Sequence, residues 1–190
     1  MKLRHFLTAA VTVFSLSAAT LKAAPPDFNR DPDSAGKFTP FQLAFATPMQ
    51  IVPENWDVMG LRLNLIYGSN HNVTFLDIGL LNHTINRQTG IQIGGIWNGV
   101  EGEMSGIQVG GIINSAGNTY MMSGIQVGSI NLAGDATGLQ VGVFNSANSM
   151  QGMQIGVVNN ADNLQGAQIG LINLITAGPI PFMPVLNVGF

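Results

Sequence analysis

The chain contains no cysteine. That removes disulfide stapling, thiol catalysis, thiolate metal sites and attachment of a lipid through cysteine. Charge is scarce as well: Asp, Glu, Lys and Arg make up 9% of the 190 residues, against about 25% in an ordinary soluble domain. Positive charge is scarcest. Lys2, Arg4 and Lys22 lie near the start, Arg30, Lys37, Arg62 and Arg87 follow, and residues 88–190 contain no Lys, Arg or His. Nucleic-acid binding depends on basic side chains that displace phosphate counterions, so it is excluded as a function class. Aromatic residues are few, with two Trp and two Tyr. Beyond the N-terminus no apolar run reaches the ~18 residues of a membrane helix. Glycine is plentiful, at 24 residues, but without the Gly-X-Y triplet of collagen.

The first 23 residues have the pattern of an export signal. Lys2 and Arg4 form a positive start, Phe6 to Ala19 a short apolar stretch, and Ser17-Ala18-Ala19 or Leu21-Lys22-Ala23 a small-residue cleavage site. Pro25 and Pro26 follow at once, which argues against a helix continuing into a core. Residues 24–37 read as a flexible polar leader. Residues 38–59 read as an N-terminal cap: Phe41, Leu43 and Phe45 alternate with Gln42 and Ala44 as in a strand, while Pro48 and Pro53 suit an edge.

From residue 60 the chain repeats itself. Units begin at Gly60, Phe75, Gly90, Gly106, Gly124, Gly138, Gly152 and Gly166, with spacings of 15, 15, 16, 18, 14, 14 and 14. A Gln lies two positions into each later unit (Gln92, Gln108, Gln126, Gln140, Gln154, Gln168), and an Asn closes it (Asn98, Asn114, Asn131, Asn145, Asn159, Asn173). The first two units are looser, with Arg62 and Asp77 at the Gln position. Within a unit the period is two: Leu139, Val141 and Val143 share one face, Gln140 and Gly142 the other, which predicts strand. Ala133, Ala147 and Ala161, with Met150 and Leu164, read as inward-facing. The Asn reads as a turn residue that tolerates left-handed backbone angles. The units "GIQIGGIWN" and "GIQVGGIIN" hold one extra residue, expected to form β-bulges.

Two all-β architectures fit. In a repeat β-solenoid of about eight coils of 14–18 residues over 60–179, closed by a C-terminal cap strand at 180–190, like side chains stack ~4.8 Å apart. In a ten-stranded antiparallel outer-membrane β-barrel, each unit is one strand and one turn. The solenoid is the stronger expectation. A meander places alternate turns in different environments and would repeat near 28 residues, whereas here each 14-residue unit carries the same Asn and small residues. Aromatic girdles are also missing. The alternation of Leu186, Val188 and Phe190 keeps the barrel open.

The segments "PFQLAF" (40–45) and "GLRLNLIYG" (60–68), with the tandem G-h-Q-h-G-h-h-N repeats of 90–173, resemble the leptospiral-type bacterial surface-repeat proteins. The likeness spans about residues 40–190. It implies export and a cell-surface or outer-membrane setting in a Gram-negative-type bacterium, and it brings no catalytic residues to transfer.

Nothing in the residues converges on catalysis, a cofactor or a metal. His71 and His83 read as separate polar turn residues, and Glu101 and Glu103 as solvated charge in a glycine-flanked turn without the burial that tunes an acid–base pair. The glycine-rich "GIQIGG" lacks the Lys and following helix of a phosphate loop. Asn72-Val73-Thr74 and Asn82-His83-Thr84 read as chance glycosylation matches. The Gln and Gly rows admit two readings. They read first as structural ladders of the cross-β kind, because the repeat fold already accounts for them; the alternative is a flat uncharged face for a repetitive ligand such as a glycan or a surface polymer, with a glycan or a protein of the envelope as partner. If the Gln face is solvated, Gln140→Leu changes little and Asn145→Val, which removes a turn former, costs more. The sequence thus points to an exported, non-enzymatic envelope protein with a structural or adhesive role, a pore-forming or scaffolding barrel being the alternative.

Overall fold

The computed structural model describes residues 36–190. The expected export signal and nearly all of the polar leader lie outside the described residues. The elements are β1 (Phe38–Ala46), β2 (Met49–Gln50), β3 (Asp57–Val100), β4 (Glu103–Gly110), β5 (Ile113–Val127), β6 (Ile130–Ile175) and β7 (Phe182–Gly189). Helix is absent from the described residues.

The chain winds as a β-solenoid of about six regular turns, preceded by the looser units of β3. Successive turns pair in parallel with like residues in register: Gly90 with Gly106, Gln92 with Gln108, Gln108 with Gln126 and Gln126 with Gln140. This register excludes the antiparallel barrel, in which neighbouring strands run oppositely and like residues cannot meet. Among the described residues antiparallel pairing occurs only at the ends. There β2 folds back on β1, and β7 lies along the last turn with Gln168 opposite Asn187 and Gly166 opposite Gly189. Both ends therefore close with a strand that reverses direction.

The first position of the unit sets the winding. Gly90, Gly106, Gly124, Gly138, Gly152 and Gly166 all take positive φ, between 109° and 143°. A Cβ at Gly138 would collide with the carbonyl oxygen of Gly124 one turn below, so glycine is required both for its backbone angle and for the close approach. Phe75 occupies the same position with φ 97°, a strained conformation for a residue with a side chain.

The extra residue of the Gly106 unit lies between Gly110 and Ile113. Val109 pairs with Val127 and Ile113 with Ile130. Four steps on one turn thus face three on the next, the two-against-one count that defines a bulge.

The interior has two halves. Ala116, Met122, Ala136, Ala147, Met150, Ala161, Leu164 and Ile175 form one buried apolar cluster, with Ala133 against it. These small and long side chains alternate around each turn and fill it, as the repeat of Ala and Met or Leu predicts. The other half is polar.

Candidate functional site

That polar half is built from the two repeat residues singled out in the sequence. Every one of Gln92, Gln108, Gln126, Gln140, Gln154 and Gln168, and of Asn98, Asn114, Asn131, Asn145, Asn159 and Asn173, has no exposed surface. Period two had separated Gln140 from Leu139 and Val141 correctly. The solvated Gln face, however, is corrected: Gln points in, and the aliphatic residues point out. The Asn is corrected as well. It is no left-handed turn residue, since among the described residues Phe75 and Val185 are the positive-φ non-glycine residues, and Asn145 lies within β6.

Each set forms a ladder. The Gln amides donate toward the N-terminus, Gln108 to Gln92 at 2.8 Å, Gln140 to Gln126 at 2.8 Å, and Gln168 to Gln154 at 2.8 Å. The Asn amides donate toward the C-terminus, Asn98 to Asn114 at 2.9 Å, Asn131 to Asn145 at 2.8 Å, and Asn159 to Asn173 at 2.8 Å. The two ladders are therefore opposed in direction. The second amide hydrogen serves the main chain. Asn145 donates to the Ile155 carbonyl and Gln154 to the Asn160 carbonyl. A primary amide has two donors and a carbonyl acceptor, so each of the two amide side chains in a turn can link three partners. This makes the burial of so many polar groups tolerable. It also explains the glycine four positions in: a Cβ on Gly142 would strike the Gly128 carbonyl and the amide of Asn131.

The ladders need a start. At the N-terminal end Arg62 and Asp77 occupy the Gln column in successive units. Arg62 Nε and Nη2 donate to the two Asp77 carboxylate oxygens at 2.7 and 2.6 Å, with both side chains fully buried. Asp77 also accepts from Gln92 and Asn64, and Arg62 donates to the His83 carbonyl and Thr84. The ion pair ends the Gln ladder with an acceptor whose charge is compensated in place. The sequence signal of this pair is opposite charges at one repeat position fifteen residues apart, which within single units is indistinguishable from a loose repeat. At the far ends Asn64 Oδ1 and Gln168 Oε1 lack hydrogen-bond partners. Each ladder thus leaves its acceptor end open and its donor end satisfied; for Asn173 the acceptor is the Met183 carbonyl of β7.

His83 and Glu101, expected to be separate and solvated, come together. His83 Nε2 lies 3.0 Å from Glu101 Oε1, and Nδ1 lies 3.1 Å from Ser69 Oγ and 3.2 Å from the Tyr67 hydroxyl. The imidazole stacks between Tyr67 and Trp97. Burial holds it below its ordinary pKa of 6.5, against the opposing pull of Glu101. Burial likewise raises the Tyr67 phenol. A serine, a histidine and a carboxylate in line invite a nucleophile reading, but Ser69 is 1% exposed, so no substrate carbonyl could reach its oxygen. The group works as a clasp across three turns. Glu103 pairs with Arg87 on the surface at 2.7 Å. His71 takes no part in the cluster. Among the described residues no three His, Asp or Glu side chains group to hold a metal ion. "GIQIGG" runs within β3 as part of the winding. Asn82 of the second sequon is buried in the Asn ladder, which closes it to a glycan in the folded state. Asn72 is bonded to Asp57 and Asn86.

Inverting the alternation leaves aliphatic side chains in solvent. Three outward columns follow the turns; two run from β1 to β7, and the third is broken at Gly95, Gly111 and Ser129. One contains Phe41, Ile91, Ile107 and Met153; the next Leu43, Ile93, Val109, Ile155 and Ile169; the third Leu65, Val143, Val157 and Leu171. Leu171 is 69% exposed and Val143 56%. Between the second and third columns runs an open groove of about 780 Å³, floored by Gly128, Gly142, Gly156 and Gly170 and walled by Val, Ile and Leu. The opposite side carries polar residues, among them Asp135, Thr137, Gln151, Asp162, Asn163 and Gln165. No family model, no curated protein and no solved structure matches the chain.

Proposed function

We propose that the protein is an exported, non-enzymatic repeat protein of the bacterial envelope or cell surface, acting as a rigid scaffold that engages its partner through the apolar outer columns. The observation that carries this reading is the inverted alternation. Polar amides fill the inside, and a continuous strip of uncharged aliphatic side chains faces out. A strip this long exceeds the ~300–600 Å² of the largest apolar patch on an ordinary monomer, and such patches mark interaction surfaces. The export pattern of residues 1–23 and the resemblance to surface-repeat proteins support the location. The partner class shifts with the geometry. The Gln row offered as a glycan platform is buried, and the aliphatic columns favour an apolar protein surface.

The test is fractionation of a Gram-negative host expressing the full chain, beside a form lacking residues 1–23, with protease treatment of intact cells. The full chain is expected in the envelope fraction and the shortened form in the cytoplasm. A full chain retained in the cytoplasm overturns the location, and hydrolysis of cell-wall substrates by the purified protein overturns the non-enzymatic role.

A further inference from the structure

The apolar columns pose a question of occupancy, and their dimensions answer it. Ten rows at ~4.8 Å and five residues at ~3.3 Å give a face of roughly 45 Å by 15 Å, about 700 Å². A specific interface buries about 800 Å² per partner. The face is thus the size that one copy of a stable dimer contributes. It is also self-compatible. It carries no charged side chain from Phe41 to Val188, and in the regular turns its third column is interrupted by Gly95, Gly111 and Ser129, so two copies meet without like-charge repulsion. Its relief is complementary to itself, because the ridge of Val143, Val157 and Leu171 runs alongside a glycine-floored groove. A two-fold axis lays each ridge into the other copy's groove.

A lipid surface is the competing occupant, and the charges disfavour it. Surfaces that lie on membranes combine an apolar face with Lys and Arg that meet anionic headgroups. Here no basic residue follows Arg87, and the charges beyond it, Glu101, Glu103, Asp135 and Asp162, are all acidic.

We infer that two copies of the chain pack face to face through the aliphatic columns, the Val143–Val157–Leu171 ridge of each lying in the glycine-floored groove of the other, to form a dimer with polar outer sides. This rests on the reading of the columns as the working surface and names what covers them.

The test uses the purified protein without its first 23 residues. Sedimentation over a range of protein concentrations is expected to give a dimer that dissociates on dilution. Val157→Asp should convert it to monomer, with a far-ultraviolet circular dichroism spectrum unchanged, while Asp162→Asn on the polar side should leave the dimer intact. Because the chain has no cysteine, two single-cysteine variants decide the point should Val157→Asp fail to fold: under oxidation Val157→Cys should cross-link between copies and Asp162→Cys should not. A monomer at every concentration overturns the inference. So does flotation of wild-type protein with phosphatidylcholine vesicles that disperses the dimer, or cross-linking through residue 162 in place of 157. A dimer that forms in solution while fractionation finds the full chain in the cytoplasm would leave this inference standing and sink the proposed location.

Discussion

The two halves of the interior solve one problem in opposite ways. On the Ala and Met side, turns are held by dispersion and by removal of apolar surface from water, forces without direction. On the Gln and Asn side, they are held by amide hydrogen bonds with fixed donors, acceptors and distances near 2.8 Å. The first half tolerates changes of shape if volume is kept. The second tolerates almost none, because each amide completes the bonds of both its neighbours. The apolar half supplies adhesion; the polar half supplies register, since a slip by one residue would put an aliphatic side chain into the amide column.

Substitutions can break or sharpen that contrast. The largest effect is expected at the foot of the polar half. Arg62→Met leaves the Asp77 carboxylate buried and uncompensated, and should lower stability by about 3–5 kcal/mol, measured by urea unfolding. Gln140→Leu should cost about 2–4 kcal/mol by leaving the Gln126 carbonyl and one hydrogen of Gln154 without partners; a loss near zero would show that the ladder adds nothing. The matched change in the apolar half, Met150→Leu, should cost less than about 1.5 kcal/mol, and an equal loss at both sites would erase the distinction between the halves. Phe75→Gly touches neither half and should raise stability by about 1 kcal/mol, because it relieves positive φ at a residue whose ring is largely exposed.

The smallest effect is expected from pH. His83 is held below its ordinary pKa of 6.5, so the unfolded chain binds its proton more readily than the folded one. Stability should therefore be complete above about pH 6.5 and decline as pH falls below it, until His83 is protonated in the folded state too. His83→Gln should remove that part of the acid dependence in thermal unfolding followed from pH 8 to pH 5.

The winding was legible because it is local. A 14-residue interval, a period of two and a recurrent glycine suffice to predict coils, and the inward Ala147, Ala161, Met150 and Leu164 follow from their spacing. Which side of Gln140 and Val141 faced inward was not legible, since alternation separates two faces without giving either a sign. Burying a row of amides is favourable only if each meets its equivalent in the neighbouring turn, a relation between residues about fourteen positions apart that no single unit contains. The same holds for Arg62 with Asp77 and for His83 with Glu101. Each is unremarkable within its own unit, and its chemistry arises from the stacking.

The opposed directions of the two amide ladders bear on how such a chain can change its length. Each added turn brings one Gln dipole and one Asn dipole that largely cancel along the axis, so copy number alters neither end electrically. Duplication or loss of a whole unit asks nothing new of Arg62 and Asp77 at one end or of β7 at the other. Evolution can tune the reach of the rod in steps of ~4.8 Å while leaving both closures as they are.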